Sequence, residues 1–383
     1  MKKIVSVVLS AILILTSFSI FSSAENEKAL KFNSDGKFKI LHVADIQDNI
    51  CIAPQALECI AAVCDDEQPD LVILGGDNIS SAVSKDKNND AEKAFKNVKF
   101  SINLFMSIFE ERNIPTATVF GNHDGNHLVP KEKQMEIYQS YDCFIGSDEN
   151  AELYGCNTSN IPIMSSDSKK TAYNLWLFDS GEGLEDAPGY DWVHDDQVEW
   201  YVKKSNELKK ANGGKAVDSM AFQHIPIFEI HEVIENGKLI SGELNRTPRP
   251  SLHESSHFSA IVKQGDIKAM FFGHDHVNTY TYNYKGIDFV ATPTSGVGAY
   301  GDESKGIRVI ELDEKDTSTY KTRMVNYLET YCTDDTQYSR FKMNDRELEV
   351  FPRILHTIRY IFRALEEGTS FLKICYEIHC ILT

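Results

Sequence analysis

The sequence predicts an α/β protein. Three observations carry that expectation: short apolar runs bounded by turn residues, amphipathic helical patterns between some of them, and Asp, Asn, Gln or His arriving directly after several runs. The runs are "FKILHVA" (38–44), "DLVILGG" (70–76), "TATVF" (116–120), "AYNLWLF" (172–178), "SMAFQ" (219–223), "IKAMFF" (267–272), "IDFVA" (287–291) and "GIRVIEL" (306–312). Their length and enrichment in Val, Ile and Phe suit buried strands. Helical patterns cover 53–67, with Pro54 near the start, then 90–112 and 195–211. Residues 145–171 and 231–256 are polar and read as long loops bordering a substrate site.

The ends of the chain differ from the middle. Residues 1–24 combine Lys2 and Lys3, an apolar run and "SSA" before Glu25, the pattern of a cleaved export signal. That pattern predicts a secreted or extracytoplasmic protein. After about residue 326 the pattern becomes a helical extension, with Phe351, Leu355, Ile358, Phe362 and Leu365 on one helix face. Docking on the domain, a partner helix and membrane contact are its three readings, docking being the plainest.

Composition excludes some classes. Hydrophobic residues make up 42% and charged residues 25%, ordinary for a folded domain. The net charge is -18, and removal of two lysines with the leader makes it -20. Such a surface repels phosphate backbones, so general nucleic-acid binding is not expected. A small anionic substrate would need a local positive centre. The eight cysteines form no CxxC pair; Cys143 with Cys156 is a conceivable disulfide, with free buried thiols the alternative.

The chemistry lies where the runs end. Asp45 and Gln47 follow the first, Asp77 the second, "GNHD" (121–124) the third, His224 the fifth, and His274 and His276 the sixth. Ligand sites in α/β sheets gather at strand carboxyl ends. Oxygen donors mixed with imidazoles suit Mn, Fe or Zn. Asp45, Gln47, Asp77, Asn122, His224, His274 and His276 supply enough donors for two ions sharing Asp77.

The blocks "ADIQ", "GGDN", "GNHD", "QHIP" and "GHDH", in this order, resemble those of calcineurin-like metallophosphoesterases, with the purple-acid-phosphatase-like subgroup the nearest. The resemblance covers roughly residues 37–325 as one domain. It implies a four-layer αββα sandwich of two mixed β-sheets with a dinuclear metal site at one edge. It further implies two divalent ions, one held by Asp45, Gln47, Asp77 and His276, the other by Asp77, Asn122, His224 and His274. His123 would be the general acid. The implied reaction is hydrolysis of a small phosphorylated substrate, a monoester first and a diester or nucleotide second, by a hydroxide held between the ions.

Two positions depart from the pattern. Gln47 stands where the family usually has histidine, which predicts a weaker or harder first site favouring Mn or Mg over Zn. It also leaves open a non-catalytic binding protein. Ser80 stands where true purple acid phosphatases carry tyrosine, so no tyrosinate-to-iron colour is expected. Of the remaining candidates, Asp124, Asp179 and Asp275 read as loop braces and His42 as core. Asp48 lies near the ligands but off their pattern. His194, His253 and His257 read as surface residues with some reach toward substrate, and Tyr300 as a residue of the mouth. Asn126 and His127 have no place in the ligand count.

Overall fold

The computed structural model describes residues 29–331, apart from 126, 127, 148, 149 and 185. The leader, the C-terminal helical pattern, Asn126 and His127 therefore lie outside the described residues.

Two sheets form the centre. The first orders its strands β12-β11-β1-β2-β3: β1 (Lys37–Val43), β2 (Leu71–Gly75), β3 (Thr116–Val119), β11 (Gly306–Asp313) and β12 (Tyr320–Asn326). The second orders β4-β5-β6-β8-β10-β9-β7: β4 (Ser159–Met164), β5 (Thr171–Leu177), β6 (Ser219–Phe222), β7 (Lys238–Ser241), β8 (Ile267–Phe272), β9 (Thr281–Tyr284) and β10 (Ile287–Ala291). Both sheets are mixed. In the first, β1 runs parallel to β2 and antiparallel to β11; in the second, β6 and β8 are parallel while β9 and β10 are antiparallel.

Alternation along the strands explains the layers. Ile40, Leu71 and Ile73 face a core shared with Met220, Phe222, Ala269 and Phe271 of the other sheet. Their neighbours Leu41, Val43, Val72 and Leu74 point the opposite way, into a core shared with helices. Side chains two apart line one face of a strand, so a strand apolar at every position must be covered on both faces. The first sheet is covered by α1 (Pro54–Glu67), α2 (Ala91–Glu111) and α3 (Lys131–Tyr138). The second is covered by α4 (Asp195–Ala211), α5 (Ile230–Asn236) and α6 (His257–Gln264), against Ala221, Met270 and Phe272. A short α7 (Tyr327–Tyr331) follows β12. The result is the expected αββα sandwich.

Local sequence sets the helix starts. Asp90 caps α2 by accepting the Lys93 N–H at 3.0 Å. Asp48 accepts the Ala53 N–H at 2.7 Å just ahead of α1, and Pro54 opens that helix.

The two long polar segments are not plain loops. Residues 145–171 contain β4, and 231–256 contain most of α5 and all of β7. Strands β4 and β7 are the two edges of their sheet, and β4 carries Pro162, which an edge tolerates because one side of the strand has no partner. Cys143 and Cys156 are buried and form no disulfide with each other.

Candidate metal centre

Parallel pairing of β1, β2 and β3 brings their carboxyl ends to one edge of the first sheet. Parallel pairing of β6 and β8 does the same in the second. Asp45, Gln47, Asp77 and Asn122 come from the first set, His224, His274 and His276 from the second, and the two sets meet. Asp77, His224 and His274 place one donor atom each within 4.8 Å of one another, as do Asp45, Asp77 and His276. Asp77 belongs to both clusters.

The contacts are close. His224 Nε2 lies 3.1 Å from Asp77 Oδ2 and 3.8 Å from Asp45 Oδ1. His276 Nε2 lies 3.2 Å from Asp45 Oδ1. The Gln47 amide donates to Asp77 Oδ2 at 3.4 Å. Asn122 is buried at the end of β3. The far ring nitrogens are anchored: His224 Nδ1 to the Gly75 carbonyl at 2.9 Å and His276 Nδ1 to the Tyr300 carbonyl at 2.7 Å. Such anchors fix ring orientation and point Nε2 inward.

Backbone strain concentrates here. Asp45, Gln47, Asp77 and His274 all have positive φ, at 54°, 31°, 49° and 70°. Residues other than glycine rarely adopt that region, and clusters of such residues mark functional sites. Gly76 (φ 86°) permits a close approach that a side chain would block, because a Cβ there would fall 2.7 Å from His224 Nδ1 and 2.8 Å from the Gly121 nitrogen. A Cβ on Gly273 would fall 2.6 Å from Asp45 Oδ2.

The electrostatics are those of a cation site. Burial alone would lower the His224 pKa, but the Asp77 and Asp45 carboxylates hold it up to about 10. Burial opposes ionisation of Asp77, yet His224 and His123 keep its carboxyl well below the usual range. His274 is pushed well down, by burial first and the neighbouring His224 charge second. Its Nε2 is buried with no hydrogen-bond partner among the described residues, a donor ready for a ligand. Oxygen and imidazole donors, an orphaned nitrogen and a glycine-lined cradle all fit divalent ions.

His123 occupies the rim. Its side chain is 42% exposed and its Nε2 faces Asp77 Oδ2 at 4.0 Å. Its backbone N–H donates to Asp77 Oδ1 at 2.7 Å. The Ser81 hydroxyl lies 2.7 Å from its ring Nδ1.

The remaining candidates separate clearly. Asp124 braces the loop, accepting N–H groups of Gly121 (2.8 Å) and Ile79 (3.1 Å). Asp179 forms a buried ion pair with Lys131 at 2.9 Å. Asp275 is buried, and its backbone carbonyl accepts the Asn278 N–H at 3.0 Å. His42 is core, bonded to Thr292 at 2.8 Å. His194 stacks between Tyr154 and Trp192, and His253 meets the Trp192 edge. His257 is buried instead of lying at the surface, against Phe178. Tyr300 stacks on His276 with ring centroids 4.0 Å apart, and Tyr190 meets the His274 ring edge-on at 4.3 Å. Ser81 and Tyr190 carry no sequence signal of their own. Only the fold brings them to the site.

The fold is thus an αββα sandwich whose two sheets meet at two candidate metal clusters that share a carboxylate. The family model for calcineurin-like phosphoesterase matches residues 38–278, and the chain belongs to that family. The chain is 26% identical to probable inactive purple acid phosphatase 29 of Arabidopsis thaliana, over 77% of this chain and 82% of that one. It is also 26% identical to probable inactive purple acid phosphatase 14 of the same plant, over 88% and 91%. A crystal structure of a dimetal phosphatase from Danio rerio overlaps 76% of this chain and 99% of that one, with 11% identity and a TM-score of 0.47.

Proposed function

We propose that the protein is an exported metal-dependent phosphoesterase acting on small phosphate monoesters. The observation that carries this reading is the pair of clusters joined at Asp77, with His123 on the same rim. Asp45, Gln47, Asp77 and His276 would hold one ion; Asp77, Asn122, His224 and His274 would hold the other. Bound divalent ions supply Lewis-acid charge for phosphoryl oxygens and an activated water at neutral pH.

The chain's own residues do the rest. Asp77 holds the two halves of the site together. Gly75 and the Tyr300 carbonyl keep the two imidazoles turned inward. His123, as the imidazolium, donates Nδ1–H to Ser81 and presents Nε2–H to the leaving oxygen. After transfer the neutral ring keeps its proton on Nδ1, where Ser81 accepts it.

Purified protein supplied with Mn should hydrolyse an activated aryl phosphate, and chelation should abolish the activity. A second reading is a metal-binding protein without turnover. Gln47 favours it, as do relatives whose names call them probably inactive. Protein that holds about two Mn per chain yet turns over no phosphate ester would establish the second reading and remove the first.

A further inference from the structure

The "GHDHVN" stretch does more than place two histidines. Asn278, fully buried, accepts the backbone N–H groups of Asn245 (3.0 Å) and Arg246 (2.9 Å) and donates to the Arg246 carbonyl (2.9 Å). Asn245 donates in return to the Val277 carbonyl at 3.1 Å. Glu243 and Thr279 exchange two further bonds, at 2.9 and 3.0 Å. The segment "ELNRTPR" is therefore sewn to the same loop that carries His274 and His276.

That stitching sets one cation. The Arg246 guanidinium lies over the Tyr300 ring, 5.0 Å from its centroid, and Tyr300 in turn stacks on His276. Among the described residues Arg246 forms no ion pair with a carboxylate. Asp275 is buried nearby and feels its charge, but the two form no ion pair. Tyr300 is 47% exposed, so the column opens to solvent at the mouth of the site. In a chain of net charge -18, a stacked arginine with no ion-pair partner beside an anion-binding centre is out of place unless it serves the ligand.

We propose that Arg246, on its Tyr300 platform, is a substrate-binding residue that receives a second anionic group carried by the leaving portion of the substrate. Arg246 and His276 both lie against the Tyr300 ring, so the guanidinium sits close to the candidate clusters without belonging to them, where the far end of a bound ester would reach it. The preferred substrate would thus be a phosphate ester with a phosphate or carboxylate at its far end. Arginine suits this because its planar fork pairs two oxygens while its face stays on the ring. The inference rests on the phosphoesterase reading.

The test compares glucose 1,6-bisphosphate with glucose 6-phosphate in the Mn-loaded protein. Arg246→Gln should lower the ratio of kcat/KM between the two by about tenfold. Arg246→Lys should recover part of it. An unchanged ratio in Arg246→Gln would overturn the proposal, including the case where both substrates fall equally. If the wild-type protein hydrolyses neither sugar phosphate, the phosphoesterase reading fails separately, and calorimetric binding of the same two compounds decides the arginine. Selective weakening of the bisphosphate by Arg246→Gln supports it, and equal binding overturns it.

Discussion

The Ser81 hydroxyl lies 2.7 Å from His123 Nδ1, on the side of the ring away from the Nε2 that faces Asp77. A side chain with no metal contact thus fixes which nitrogen is turned toward the centre. His123→Ala should lower kcat by about 10²–10⁴-fold for alkyl esters, whose leaving groups need a proton, and far less for nitrophenyl esters. Ser81→Ala should show the same leaving-group dependence with a smaller loss, about tenfold. Equal losses on good and poor leaving groups would remove both assignments.

Asp77 is common to both clusters, and it also accepts the His123 backbone N–H. Asp77→Asn should therefore disturb both ions at once. Metal analysis after Mn loading should drop from about two ions per chain to fewer than one. Retention of both ions would show that Asp77 is not the bridge.

Gln47 presents a neutral amide where an imidazole is usual. Gln47→His should raise affinity for Zn relative to Mn by about tenfold or more, read by competitive metal titration. A preference that does not move would mean that the other donors alone set metal choice.

His257 gives a pH dependence independent of the metals. Burial lowers its folded pKa to about 3, against about 6.5 in an unfolded chain. Below about pH 6.5 the unfolded state binds a proton that the folded state refuses, so stability falls as pH falls toward 3. At full effect the slope is about 1.4 kcal/mol per pH unit for one proton. His42, also lowered to about 3, adds in the same direction. His257→Leu should flatten the dependence by close to one proton, measured by urea unfolding between pH 4 and 7. Parallel curves for the two proteins would contradict the assignment.

Most of the central strands were legible because they are apolar on both faces, and so were the residues delivered from their ends. The strands that escaped detection are mostly edges. In β12 half-buried and exposed positions alternate along most of the strand, β7 is exposed throughout, and β4 contains a proline. Their sequences look like loops because one face or one side meets water. The same limit applies to the site. Asp45, Asp77, His224, His274 and His276 announce themselves by position, whereas Ser81, Tyr190 and Arg246 sit in polar connections and acquire meaning from what the fold stacks on them. That a Cβ on Gly76 or Gly121 would run into His224 or Asp77 is visible only in the fold.

Each candidate cluster draws donors from both sheets, and this has a consequence for the assembled layers. An ion held there would act as a clasp across the seam, so loading would oppose separation of the sheets as well as order the loops. The clasp also works as a gauge. A one-residue slip of β2 against β1, or of β6 against β8, would carry a donor out of reach of its partners, and the ion would report the error by failing to bind. Metal retention therefore measures whether the two layers are mated in register, a quality that secondary structure content alone does not reveal.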